Sequence, residues 1–267
     1  NMIKILTIIG ARPQIIKAAA ISRAVSNEFS SEIEEMIVHT GQHYDDDMSQ
    51  IFFDELSIPK PHYNLNIGSG LHGKQTARMI DGIEELLLIE NPDYLLLYGD
   101  TNSTLSGAIA ASKINIPIVH IEAGPRSYNR KMPEEINRIT CDHLSTLLFS
   151  PTKSGFQNLI NEGFNPNNQV PFSADNPGIF HCGDIMYDNS LHYASLASEE
   201  SNILVDNDLN SNEYVLATVH RDYNTDITAN LMSIFEALIK ISSKLKVILP
   251  IHPRTKKSYS LLKKMHF

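Results

Sequence analysis

Hydrophobic positions along the chain fall into two alternating kinds of segment. Short β-branched runs occupy residues 3–9, 36–39, 94–98, 117–121, 147–149, 179–182, 214–219 and 247–251. Between most of them lie stretches with a helical apolar period, at 13–25, 48–56, 72–89, 103–113, 133–143, 153–162, 185–196 and 229–241. Strand alternating with helix predicts an α/β chain with a doubly wound parallel sheet. The runs are continuous in Ile, Leu and Val rather than alternating, so both sheet faces should be buried. A domain break is expected near residue 184, giving domains 1–184 and 185–267. Only two strands and two helices follow it, which reads as an incomplete second doubly wound domain.

Composition narrows the function classes. Of 267 residues, 42% are hydrophobic, enough for a real core. Lys and Arg number 22 against 31 Asp and Glu, a net charge of −9. That balance argues against a general nucleic-acid binder, which needs a basic face. No run of about 18 apolar residues is present, so no membrane span is expected. The two cysteines, Cys141 and Cys182, lack metal-ligand spacing. They predict neither a disulfide framework nor a zinc site, and suit a reducing cytoplasm.

In open α/β sheets, ligands bind beyond the carboxyl ends of the strands, so the residues just after each strand carry the interest. After the first strand comes Gly10-Ala11-Arg12-Pro13, with Lys17 one turn into the following helix. Arg12 and Lys17 flank a helix N-terminus, a natural anion site; the plainer reading is a βα turn with two solvated cations. Gly99-Asp100-Thr101 follows the 94–98 strand, and Glu122-Ala123-Gly124 follows the 117–121 strand. Asp before a helix is commonly an N-cap, which competes with an acid/base role for Asp100. Glu122 follows a strand that is apolar but for His120 and is harder to explain structurally. Glu134 and Arg138 are four apart on one helix face, where a surface ion pair is the plain alternative. His220-Arg221 and His252 end the last two strands, placed to meet a phosphate or to act as acid and base.

Residues 68–74, Gly-Ser-Gly-Leu-His-Gly-Lys, match two nucleotide-loop patterns at once. Gln75 stands where a magnesium-binding Ser or Thr belongs, and no acidic residue ends a strand about 20 residues later. The segment reads as a glycine-rich loop of another kind.

Several runs together resemble the non-hydrolysing UDP-N-acetylglucosamine 2-epimerase family. They are Gly10-Ala11-Arg12-Pro13-Gln14-Ile15-Ile16-Lys17, Thr40-Gly41-Gln42-His43, Gly99-Asp100-Thr101-Asn102-Ser103-Thr104, His120-Ile121-Glu122-Ala123-Gly124, Pro133-Glu134-Glu135-Ile136-Asn137-Arg138, Gly183-Asp184, His220-Arg221 and Pro250-Ile251-His252-Pro253. They span the chain in family order. Pro125 stands where the family commonly has Leu, and the family's serine- and glycine-rich uridine motif has no match here. The resemblance implies a GT-B arrangement of two Rossmann-like domains facing a cleft, usually a homodimer.

The same resemblance implies the roles. Asp100, Glu122 and Glu134 would be acid/base carboxylates, and Arg138 would support Glu134. Arg12 and Lys17 would line the sugar and diphosphate site, with His220 and Arg221 on the diphosphate or the departing UDP. Gln42, His43 and His252 match a regulatory UDP-sugar site of bacterial relatives. The implied reaction inverts C2 of a UDP-2-acetamido sugar, without metal or nicotinamide. UDP leaves C1 and a carboxylate takes the C2 proton, leaving a glycal; re-addition of UDP at C1 and of a proton to the other face of C2 gives the epimer. A 2-epimerase of UDP-2,3-diacetamido-2,3-dideoxyglucuronic acid, a GT-B glycosyltransferase and a UDP-sugar binding module remain alternatives.

Overall fold

A computed structural model describes residues 2–41, 60–252, 255, 256 and 258. The helix expected at 48–56, and with it Gln42 and His43, lies outside the described residues. The chain divides into two compact units, 1–194 and 195–267.

The first unit carries seven strands: β1 (Ile3–Ile9), β2 (Ile33–His39), β3 (Tyr63–Asn64), β4 (Tyr94–Tyr98), β5 (Ile118–Ile121), β6 (Leu147–Ser150) and β7 (Gly178–His181). All pair in parallel, in the order β3-β2-β1-β4-β5-β6-β7. Strand order reverses between β1 and β4, so the switch point lies where the Gly10 and Gly99 turns leave the sheet. β3 is a two-residue edge pairing that the half-polar sequence around Tyr63 does not announce.

Both faces are covered, as the continuous apolar runs require. Leu95 and Leu97 of β4 point to one face, against Met79, Ile83 and Leu87 of α2 (His72–Glu90) and the alanines of α3 (Asn102–Lys113). Leu96 and Tyr98 point to the other, against Ile15, Ala18 and Ala19 of α1 (Arg12–Glu28). Cys141 of α4 (Pro133–Leu144) joins the first core, and Leu159 of α5 (Lys153–Asn161) packs on Leu148. The small residues of α3 let it sit close. A Cβ at Gly107 would lie 2.7 Å from Leu97 Cδ2. Beneath α1, Thr7 and Ser22 hydroxyls donate to the two oxygens of Glu35, at 2.7 and 2.6 Å. Burial still pushes the Glu35 carboxyl above its ordinary range, those donors notwithstanding.

The division between the two units falls inside α6 (Ile185–Glu200). The first turns of α6 are tied to α1. Asn189 Nδ2 donates to Ile16 O at 2.7 Å, and Arg23 donates to Asn189 Oδ1 at 2.8 Å and to the Tyr193 hydroxyl at 3.1 Å.

The second unit contains α7 (Ile203–Asp206), β8 (Tyr214–Leu216), α8 (Asp222–Thr225), α9 (Thr228–Ser242) and β9 (Lys246–Ile248). β8 and β9 pair in parallel across α9, a single βαβ crossover. Both strands are shorter than the apolar runs that predict them, because ladder pairing ends near Leu216 and Ile248. Among the described residues of both units, no helix is long and apolar enough to cross a membrane.

Candidate active site

Three turns meet at the carboxyl edge of the first sheet, after β1, β4 and β5. The turn after β1 is stitched to its neighbours by Gln14, a buried polar residue on α1. Gln14 Oε1 accepts from the Gly10 and Ala11 amides at 2.9 and 3.1 Å. Its Nε2 donates to Tyr98 O and to Thr104 Oγ1, both at 2.9 Å. Gly10 is required by proximity: Thr40 Oγ1 and Ser103 Oγ, 2.8 Å apart, occupy the place a Cβ would take. Thr101, not Asp100, caps α3, its hydroxyl accepting from the Thr104 amide. The structural explanation for Asp100 therefore falls away.

Lys17 reaches from α1 across Gly99 to form an ion pair with Glu122. Gly99 leaves the room: a Cβ there would lie 3.2 Å from Glu122 Oε2 and 3.3 Å from Lys17 Nζ. Glu122 adopts φ +73°, a left-handed conformation that a non-glycine residue holds only when its surroundings enforce it, at a cost of about 1–3 kcal/mol. Its amide and that of Ala123 both donate to Phe149 O at 3.0 Å. About a third of the Glu122 side chain is exposed (35%), so its carboxylate is open to a ligand while its backbone is fixed.

Asp100, on the adjacent turn, accepts from Arg138 Nη2. The expected support of Glu134 by Arg138 is corrected here: the other arm of Arg138 meets Glu135, at 2.7 Å. The reason is local. The loop before α4 leaves the Ser127 and Tyr128 amides in need of an acceptor, and Glu135 turns inward to take both at 2.9 Å. Burial works against the Glu135 charge. The two amides and Arg138 outweigh it and hold its carboxyl below the usual range. Glu134 is exposed in the first turn of α4, directly after Pro133.

Asn137 completes this side, donating to Asp100 O at 2.9 Å. Asn102, in turn, donates to Gln75 Oε1 at 2.9 Å, and Gln75 Nε2 donates to Gly68 O at 2.7 Å. Gln75 is thus the buried latch of the 68–74 loop, in keeping with that segment not being a triphosphate loop. His39, buried at the end of β2, accepts from the Gly41 amide at 3.0 Å. Burial pushes its pKa down to about 4, so it stays neutral.

Arg12 is exposed at the first residue of α1, beside Pro13, where the helix N-terminus favours an anion. In the second unit, the His220 and His252 rings stand 5.9 Å apart, beyond the ends of β8 and β9. Arg221 is the N-cap residue of α8, its carbonyl accepting from the Asn224 and Thr225 amides. Sequence reasoning passed over Gln14, Glu135 and Asn137. Helical spacing gives no signal for them, since their neighbours three and four residues away include Lys17, Lys131, Glu134, Arg138 and Thr140.

A family model described as UDP-N-acetylglucosamine 2-epimerase matches residues 26–266. A "UDP-N-acetylglucosamine 2-epimerase homolog" of Methanococcus maripaludis is 52% identical, over 98% of this chain and 70% of its own length. A "UDP-2,3-diacetamido-2,3-dideoxy-D-glucuronate 2-epimerase" of Pseudomonas aeruginosa is 49% identical, over 95% of this chain and 68% of its own. The solved structure of the Methanocaldococcus jannaschii UDP-GlcNAc 2-epimerase in complex with UDP-GlcNAc and UDP superposes with a TM-score of 0.78. It is 41% identical, and the match covers 98% of this chain and 70% of that one.

Proposed function

From the fact that the chain belongs to the UDP-N-acetylglucosamine 2-epimerase family, we propose that it inverts C2 of UDP-N-acetylglucosamine by eliminating and re-adding UDP. The observation that carries this reading is the Lys17–Glu122 pair laid over Gly99 beside Asp100, at the switch point of the sheet.

The chemistry asks for three things. The C2 hydrogen is not acidic in the intact sugar, so UDP must begin to leave C1 before a carboxylate can take the proton. A departing diphosphate needs positive charge where its own charge grows, and Arg12, Lys17 and the N-terminus of α1 supply it. The sugar, acquiring cationic character, needs carboxylates on its faces. Glu122 is the base assigned to C2. In the free protein Lys17 neutralises it. When Lys17 turns to the diphosphate, the Glu122 carboxylate is released from its ion pair at the moment the proton must move. Asp100 and the exposed Glu134 are assigned to proton return on the opposite face. His220 and Arg221 keep the expected assignment to the diphosphate, His252 that to a regulatory nucleotide sugar. The expected cytoplasmic homodimer belongs to the same proposal.

A second substrate is supported by one specific observation: the relative named for the diacetamido uronate shares 49% identity. A uronate adds a carboxylate, and exposed Arg130 and Lys131 precede α4 beside the edge. Incubating the full-length protein with each nucleotide sugar separately decides between them. We expect the C2 epimer from UDP-N-acetylglucosamine. Turnover of the uronate alone would reverse the assignment.

A further inference from the structure

Behind the carboxyl edge lies a buried charge cluster that the reaction as described does not use. Its centre is Asp142 of α4, wholly buried. Asp142 Oδ1 is 2.7 Å from Nδ1 of the equally buried His120, the third residue of β5. The other imidazole nitrogen, Nε2, is 2.7 Å from Gly99 O. A backbone carbonyl can only accept, so Nε2 carries a proton and the ring is locked in one orientation. Asp142 Oδ2 accepts from the Gly124 amide at 3.1 Å and pairs with Arg126 at 2.7 Å. Arg126, itself buried, is gripped from outside by Glu162, at 2.7 and 2.6 Å. Burial works against the Arg126 charge. The Glu162 and Asp142 carboxylates outweigh it and push its pKa up.

The consequence is geometric. Through His120 the cluster holds the carbonyl of Gly99, the residue before Asp100. Directly it holds the amide of Gly124, two residues after Glu122. Glu122 is thereby pinned on both sides, at His120 and at Gly124, and its left-handed backbone is the conformation those two anchors leave to it. We infer that Asp142 is a positioning residue for Glu122 and Asp100, fixing from behind the two turns that carry them. It touches no reacting atom. Its charge matches a cation on one oxygen and orients an imidazole with the other, so a neutral replacement of the same shape cannot serve both. The inference rests on the assignment of Glu122 and Asp100 to the epimerase reaction.

Asp142→Asn in the full-length protein tests it, with kcat and KM for UDP-N-acetylglucosamine measured per UDP-binding site. Misplacing a reacting group by about 1 Å costs on the order of 10²-fold. The expected result is a kcat lower by about 10- to 100-fold with KM changed by less than about threefold, the split that marks an interaction felt only in the transition state. Glu162→Gln, one step further out in the same cluster, is expected to leave kcat within about twofold of wild type. Asp142→Asn that binds UDP and turns over at the wild-type rate would overturn the inference. So would equal losses in the two variants, which indicate packing alone. Should Asp142→Asn not fold, His120→Gln tests the link from its other end, since an amide cannot span Gly99 O and Asp142 together. The same loss is expected, and wild-type turnover by that folded variant overturns the inference equally. An inactive wild-type protein would instead overturn the assigned reaction, and this inference with it.

Discussion

Replacing Glu122 by Gln in the full-length protein is expected to lower kcat by about 10²- to 10⁴-fold, the range for loss of a positioned acid/base group. The change is nearly isosteric, so the Phe149 contacts of the Glu122 and Ala123 amides survive it. What disappears is the carboxylate that takes the C2 proton and the partner of Lys17. Lys17 is then free for the diphosphate from the outset, so KM should stay level or fall while kcat collapses. Steady-state kinetics separates the two. Near-wild-type kcat would remove Glu122 from the mechanism, and a pure rise in KM would recast it as a binding residue.

Gly124→Ala is expected to be the most damaging small substitution for stability. Gly124 sits at φ +91°, and a Cβ there would collide with the carbonyl oxygen of Gly155 and lie 2.7 Å from its carbonyl carbon. Backbone cannot yield as a flexible side chain can. Left-handed strain and overpacking together cost about 3–5 kcal/mol, a fall in Tm on the order of 10 °C for a domain of this size. Gly68→Ala is the control. Gly68 has φ +71° but nothing within 4 Å of the added carbon, so only conformational strain applies, about 1–2 kcal/mol. Thermal melts of the two should differ several-fold in effect. Equal shifts would show that the contact between the turn after β5 and the start of α5 is not close.

Much of this layout is legible in the amino-acid order. Strands β1 and β4 to β7 appear as continuous apolar runs because both faces of a parallel sheet are dry, and the helices between them keep a clear apolar period. The residues at the carboxyl edge could be picked out by position alone, since Gly10, Gly99 and Glu122 each follow such a run. Pairing was less legible. Arg138 has carboxylates at both three and four residues' distance, and helical spacing permits either. The choice of Glu135 over Glu134 depends on two loop amides, at Ser127 and Tyr128, whose need for an acceptor no local pattern reveals. Gln14, Asn137 and Asp142 read as ordinary polar helix positions until the sheet brings their partners from some 20 to 90 residues away. The shortened β8 and β9 have a different cause: a run can predict a strand, but the ladder extends only where a neighbour exists to pair with.

The central claim is that this sheet edge carries an epimerase that works by removing the C2 proton. The most direct measurement is NMR of the product pool after incubating the full-length protein with UDP-N-acetylglucosamine in heavy water. The account predicts deuterium at C2 of both epimers, with the rate of incorporation falling in Glu122→Gln in step with turnover. Epimer formed with hydrogen retained at C2, or turnover to free UDP and sugar transfer with no change at C2, would contradict it.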